Sequence, residues 1–186
     1  MIAAMSAQMP ESASTLPGGY LQRLLLTLSE AGVDYVVCGG VACVLQGVDR
    51  VTKDIDLSIR LDDENLGRFI PAVEQLGFRP RIPEPLRALL DPRRRRAWIE
   101  EKQAKVLTLE APDHPFQIDV FLEYAIDHNR LRADATELAI GSVSVPVSSI
   151  EHLIAAKRAV TAVRTIDRRD IEDLEELLRR GRSTES

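Results

Sequence analysis

The stretch from Val33 to Gly47, "VDYVVCGGVACVLQG", does most to limit the fold. Val33–Cys38 is rich in β-branched and apolar residues, the composition of a central strand. The strand stops at Gly39 and Gly40. A brief apolar segment follows between glycines and reads as a short helix. The next strand, "DIDLSIR" (Asp54–Arg60), alternates. Ile55, Leu57 and Ile59 face one way, and Asp54, Asp56 and Ser58 the other. A buried strand, a glycine turn, a short helix and a half-buried strand call for a sheet with helices packed against it.

A length of 186 residues suits one domain, or one domain with a small helical appendage. At 45% hydrophobic and 28% charged residues, the composition is that of a folded globular chain. A net charge of −5 does not announce a nucleic-acid binder. Cys38 and Cys43 form no Cys-x-x-Cys pair and read as buried small hydrophobes in a reduced protein. Residues 1–17 lack a basic opening segment and read as a flexible tail rather than a signal peptide. No apolar run approaches membrane-spanning length, so no membrane partner is expected and the predicted location is cytoplasmic.

Residues 18–31 place leucines at helical spacing, and Gly32 closes the segment. Residues 62–77 read as a helix with acids at its start and a kink or break near Pro71. Prolines at 80, 83, 85 and 92 make residues 79–97 a loop with short helical pieces. "AKVLTLEA" and "PFQIDVFLE", separated by "PDH", predict a hairpin. "RLRADATELAIGSVSVPV" holds two further short strands. "SSIEHLIAAKRAVTAVR" is an amphipathic helix capped by Ser148 or Ser149. "DRRDIEDLEELLRRG" is a second helix that stops at Gly181. The fold class is α+β, a mixed sheet flanked by helices with a C-terminal helical pair. The expected division is a tail at 1–17, a core at 18–147, the helical pair at 148–180 and a disordered tail at 181–186.

Asp54 and Asp56, two apart in a strand, project from one face with Cα atoms about 7 Å apart. Two readings are open. They are solvated acids at a strand end, or a divalent ion holds them together, for which oxygen ligands suit Mg²⁺. Asp119 sits in "FQIDVFL", an otherwise apolar strand, where an unpaired carboxylate is expensive. If this strand lies beside Asp54–Asp56, three carboxylates converge, as two-metal phosphoryl transfer needs. Otherwise Asp119 pairs with one of the arginines. Gly39 and Gly40 either make a tight strand–helix turn or let the backbone approach a ligand closely, ahead of a helix N-terminus open to an anion. They fit neither the Rossmann nor the Walker phosphate-loop pattern.

The ordered set "CGG" (38–40), "GVDRVTKDIDL" (47–57) and "IDVFL" (118–122) resembles the polymerase-β-like nucleotidyltransferase superfamily. The resemblance implies that Gly39 and Gly40 meet the phosphates of a nucleotide such as ATP. It implies that Asp54 and Asp56 bind catalytic Mg²⁺ and that Asp119 completes the site, with two ions and Mn²⁺ as the alternative metal. "VPVSSIEHLIAAKRAV" followed by "RRDIEDL" is similar to small bacterial members, including abortive-infection-type toxins and lincosamide-type drug nucleotidyltransferases. There a helix lysine faces the nucleotide and a downstream Arg-Asp supports it, roles that fall on Lys157 and Asp170. This chain has Gly40 where the common form has Ser. Phosphate anchoring then passes to backbone N–H groups and to Arg50, Thr52 and Lys157.

The implied function is transfer of an NMP from an NTP to an acceptor hydroxyl on an antibiotic, a tRNA or a protein. The alternative is a catalytically silent module of the same fold that binds a nucleotide or a partner protein, as in a toxin–antitoxin pair. Arg93–Arg96 beside Trp98 reads as a solvated helix face. It is also the best RNA contact, with the indole offered for stacking. His114, His128 and His152 lack metal-ligand spacing and read as structural or surface residues. Arg164, Arg168 and Arg169 are expected to pair with the acidic stretch 172–176.

Overall fold

The computed structural model describes residues 18–114, 116–160 and 164–184; the tail expected over 1–17 lies outside them. Among these residues the order is α1 (Gly18–Glu30), β1 (Tyr35–Cys38), α2 (Gly39–Leu45), β2 (Asp54–Ile59), α3 (Asp63–Gln75) and β3 (Arg79–Pro80). A 3₁₀ turn (Leu86–Leu90) leads into α4 (Pro92–Lys102), β4 (Val106–Glu110), β5 (Gln117–Phe121) and α5 (His128–Ala133). The chain continues with β6 (Thr136–Ile140), β7 (Val143–Val147), α6 (Ile150–Arg158) and α7 (Thr165–Thr184).

The seven strands form one mixed sheet in the order β3-β4-β5-β2-β1-β7-β6. β1 is buried along its whole length, as a central strand must be. It pairs antiparallel with β2 and parallel with β7. β2 pairs parallel with β5, and β4 with β5 forms the expected hairpin. Leu57, Ile118, Val120 and Leu109 on one sheet face join Leu24, Leu25, Leu66 and Phe69 of α1 and α3 in the main core. The opposite face carries Val36 and Cys38, with Leu131 of α5 over them. By strand alternation Asp56, opposite Cys38, projects from this thinly covered face.

Local chemistry explains the boundaries. The Asp62 side chain caps α3 through Asn65 N, and Asp91 caps α4 with Pro92 in its first turn. Ser149, not Ser148, caps α6. Ser148 N instead donates to Val37 O at 2.8 Å, extending the sheet. Buried Asn65 ties α3 to both central strands: its side chain accepts from Asp34 N at 2.7 Å and donates to Asp34 O and Arg60 O at 2.9 Å.

Two local expectations fail for physical reasons, at Pro71 and at Gly181. The helix passes through Pro71 without ending, because the flanking Phe69, Ile70, Ala72 and Val73 are buried and hold it to the core. The loop with short helical pieces expected over 79–97 is present as the 3₁₀ turn and the start of α4, with a two-residue strand in addition. The two short strands expected over 130–147 are β6 and β7, preceded by α5, which Asp127 caps. The last helix continues past Gly181 to Thr184, because a glycine only permits a stop.

Candidate active site

The parallel register of β2 and β5 sets Asp54 against Gln117 and Asp56 against Asp119. Neighbouring strands lie about 4.8 Å apart, so Asp56 and Asp119 stand side by side on the open face. Gly39 begins immediately after Cys38, the β1 partner of Asp56. Asp56 Oδ2 accepts a long hydrogen bond from Gly40 N at 3.4 Å, and Asp119 Oδ1 accepts one from Thr108 Oγ1 at 2.6 Å. Asp54 is exposed at the strand start. Burial first, and the Asp119 charge second, push the Asp56 carboxyl from 3.8 up to about 6, despite the Gly40 hydrogen bond.

The convergence expected of the three carboxylates is thus met in backbone register. Among the described residues, however, no three His, Cys, Asp or Glu side chains are gathered closely enough to hold a metal ion as they stand. Asp119 is turned onto Thr108 and Asp56 onto Gly40. The donor set is chemically suited to a hard divalent cation, being all carboxylate oxygen. Burial and the neighbouring Asp119 charge together raise the Asp56 carboxyl more than the Gly40 hydrogen bond and the Lys157 charge lower it.

The two glycines are fixed by space. Gly39 has φ +59°, and a Cβ there would lie 1.9 Å from Asp56 Oδ2. A Cβ on Gly40 would lie 2.7 Å from Thr52 Oγ1 and 3.1 Å from Arg50 Nη2. This is the physical reason for Gly-Gly in place of Gly-Ser: the Thr52 hydroxyl stands where a serine side chain would project.

Opposite the carboxylates, α6 and α7 supply a compact ion network. Asp170, 1% exposed, receives Arg50 Nη1 at 2.5 Å and Lys157 Nζ at 2.6 Å. Asp167, 4% exposed, receives Lys157 Nζ at 3.1 Å and Arg164 Nε at 2.8 Å. Burial works against ionised Asp167, but its hydrogen bonds to Arg164 and Lys157 outweigh that and pull its carboxyl down to about 2.

Between the two halves lies a cleft of ≈ 340 Å³. One wall carries Gly39, Gly40, Thr52, Asp54, Asp56 and Asp119, and the other Arg50, Lys157, Arg164 and Asp167. Phe121 and Tyr124, stacked at 4.2 Å, border it. A larger and shallower hollow of ≈ 800 Å³ lies around Asp34, Arg60 and Arg132. It contains none of the residues singled out from the sequence, and convergent polar groups identify a site better than volume does.

Residues 20–186 match the family described as the AbiEii nucleotidyl transferase toxin, type IV toxin–antitoxin system. The chain belongs to this family. It is accordingly a nucleotidyltransferase. Among solved structures, the AbiEii-family chain is similar to the lincosamide antibiotic adenylyltransferase LnuA bound to lincomycin. The match has a TM-score of 0.56 and 17% identity over 92% of this chain and 99% of that one. It is also similar to ANT(2")-Ia in complex with adenylyl-2"-tobramycin, with TM-score 0.52 and 19% identity over 90% and 98% of the two chains. An antigenic nucleotidyltransferase-like protein from Paracoccidioides brasiliensis matches with TM-score 0.52 and 20% identity over 92% and 79%. These likenesses establish the nucleotidyltransferase fold. No curated protein matches the chain.

In this AbiEii-family chain, Asp54, Asp56, Asp119, Gly39, Gly40, Arg50, Thr52 and Lys157 line one and the same cleft, while Asp170 lies behind its cations. Sequence reading missed Asp167 and the aromatic pair Phe121–Tyr124. It also gave Arg164 the wrong partner, since Arg164 binds Asp167 rather than the acids at 172–176. An i,i+3 Arg-Asp spacing before α7 was the available signal. Arg93–Arg96 lies on α4, with Arg94 on Glu84 at 2.6 Å and Arg95 on Leu89 O. Trp98 is 4% exposed and packs into the core, so its indole is not offered for stacking. His128 hydrogen-bonds Ser58 and Asp34, His152 faces Asp134, and His114 packs on Phe78.

Proposed function

We propose that the cleft transfers a nucleoside monophosphate from an NTP to an acceptor hydroxyl, with Mg²⁺, or Mn²⁺ in its place, held by Asp54, Asp56 and Asp119. The observation that carries this reading is the register of Asp56 against Asp119 beside a glycine turn. When bound, divalent ions polarise the α-phosphate and favour the ionised acceptor oxygen.

The chain's own residues have separable parts. Asp119 exchanges its Thr108 hydrogen bond for the site and helps to take the acceptor proton. Gly39 and Gly40, lacking side chains, admit the phosphates to the backbone. Thr52, Arg50 and Lys157 bind the triphosphate, and Asp170 holds Arg50 and Lys157 from behind. The acceptor oxygen bonds to the α-phosphorus as the α–β bridge breaks, and pyrophosphate leaves toward the cations. Catalysis is then mainly positioning and charge neutralisation.

The acceptor class follows from labelling. The lincosamide enzyme is matched over 99% of its length, which supports a drug hydroxyl within a chain of this size. Membership of a toxin family supports a cellular tRNA or protein. Protein incubated with each α-³²P-NTP, Mg²⁺ or Mn²⁺, and separate pools of RNA, protein, lincosamides and aminoglycosides should label one pool and release pyrophosphate. Asp54→Ala/Asp56→Ala should lower that rate at least ~10³-fold. Retained transfer by the folded double variant would sink the proposal.

A further inference from the structure

The cleft contains three cations and an acid that competes for two of them. Arg50, Lys157, Arg164 and Asp167 all line it, whereas Asp170 does not. The two α7 acids therefore do different work. Asp170 approaches Arg50 and Lys157 from the buried side, at 1% exposure, and leaves their cleft-facing donors available. Asp167 approaches from the cleft side and engages Arg164 through both Nε at 2.8 Å and Nη2 at 3.3 Å. Its carboxylate oxygens stand where phosphate oxygens would have to bind the same guanidinium and ammonium. A planar guanidinium takes carboxylate and phosphate in the same forked geometry. Arg164 is also free to move, since 76% of its side chain is exposed while its partner's carboxylate is held at 6%.

We infer that Asp167 is a displaceable stand-in for phosphate: triphosphate takes Arg164 from Asp167, so Arg164 is a nucleotide ligand and Asp167 sets nucleotide affinity. This rests on the cleft being the nucleotide site. Lys157 stays in place during the exchange because Asp170 still holds it at 2.6 Å. Arg164 changes partner, and Asp167 keeps Lys157 alone. The apparent affinity for triphosphate is lower than the cations could give, by the stability of the internal pair that must open.

Inorganic tripolyphosphate is a suitable probe because it carries the phosphates without base or sugar. Calorimetric titration without metal reads the cations alone, and the increment on adding Mg²⁺ reads the carboxylates. Asp167→Asn should bind tripolyphosphate ~10-fold more tightly in the metal-free titration. Arg164→Ala should bind it ~5-fold or more weakly, and Asp167→Asn should give no gain in the Arg164→Ala background. Tighter binding cannot arise from a merely damaged fold. Arg164 is 76% exposed, so its replacement opens no cavity, and Lys157 still pairs with Asp167, which keeps the test decisive if Asp167→Asn unfolds. An Asp167→Asn protein that binds no better than wild type, or an Arg164→Ala protein that binds as well, overturns the inference. Loss of the Mg²⁺ increment alone would instead count against the carboxylate metal site.

Discussion

The two walls of the cleft treat charge in opposite ways. On the sheet wall, Asp56 has Asp119 beside it and no cation in contact, and its carboxyl is pushed up to about 6. On the helical wall, Asp167 is more fully paired than any acid of the sheet wall, and its carboxyl is pulled down to about 2. Both residues are aspartates facing the same 340 Å³ of space. The acids of the helical wall are paired with cations as folded, whereas Asp56 and Asp119 of the sheet wall stand beside each other. The side-by-side acids mark where a metal and its phosphates would be received, and the paired ones mark what must rearrange to receive them.

The contrast can be broken most severely on the helical wall. Asp170→Ala leaves Arg50 and Lys157 without their shared buried counter-ion and should destabilise the protein by ~3 kcal/mol, read by urea unfolding. A loss under ~1 kcal/mol would show that Asp167 alone can neutralise the wall.

The sheet wall should respond with the opposite sign. Asp56 keeps its proton to a higher pH folded than unfolded, so folding takes up a proton between the two values. That contribution is complete below pH 3.8 and is lost as pH rises through about 6. Metal-free Asp56→Asn, which cannot ionise and can still accept from Gly40 N, should therefore be more stable than wild type by ~3 kcal/mol at pH 8. The difference should shrink toward zero at pH 4. A pH-independent difference would mean that Asp56 is not strained by charge. The smallest effect belongs to the rim, where Arg158 pairs with Glu175 at 61% and 39% side-chain exposure. Arg158→Ala should change stability by no more than ~0.5 kcal/mol, and a larger value would extend the network beyond Asp167 and Asp170.

The sheet wall was legible in the sequence because its logic is local. The alternation of Asp54–Arg60 shows which side chains share a face, and one acid in an apolar strand exposes Asp119. Only the adjacency of β2 and β5 had to be supplied by the fold. The helical wall was much less legible. Arg50 and Asp170 are 120 residues apart, and no periodicity connects them. Lys157 and Asp170 were reached through resemblance, and Asp167 was hidden in "TIDRRD", a segment that reads as solvated charge. The reason for Gly40 could not be read either, because it lies in the approach of Thr52 and Arg50. Trp98 was misplaced because four neighbouring arginines mask a single inward-facing position of α4.

The 120-residue span between Arg50 and Asp170 also has a consequence in time. Chains fold from the N-terminus as they leave the ribosome. The strands bearing Asp54, Asp56 and Asp119 can therefore assemble while α7 is still being made. Without residue 170, Arg50 lacks its counter-ion and Lys157 keeps Asp167 alone. The cation side of the cleft is thus ordered by an acid close to the end of the chain, and is complete only with α7 in place.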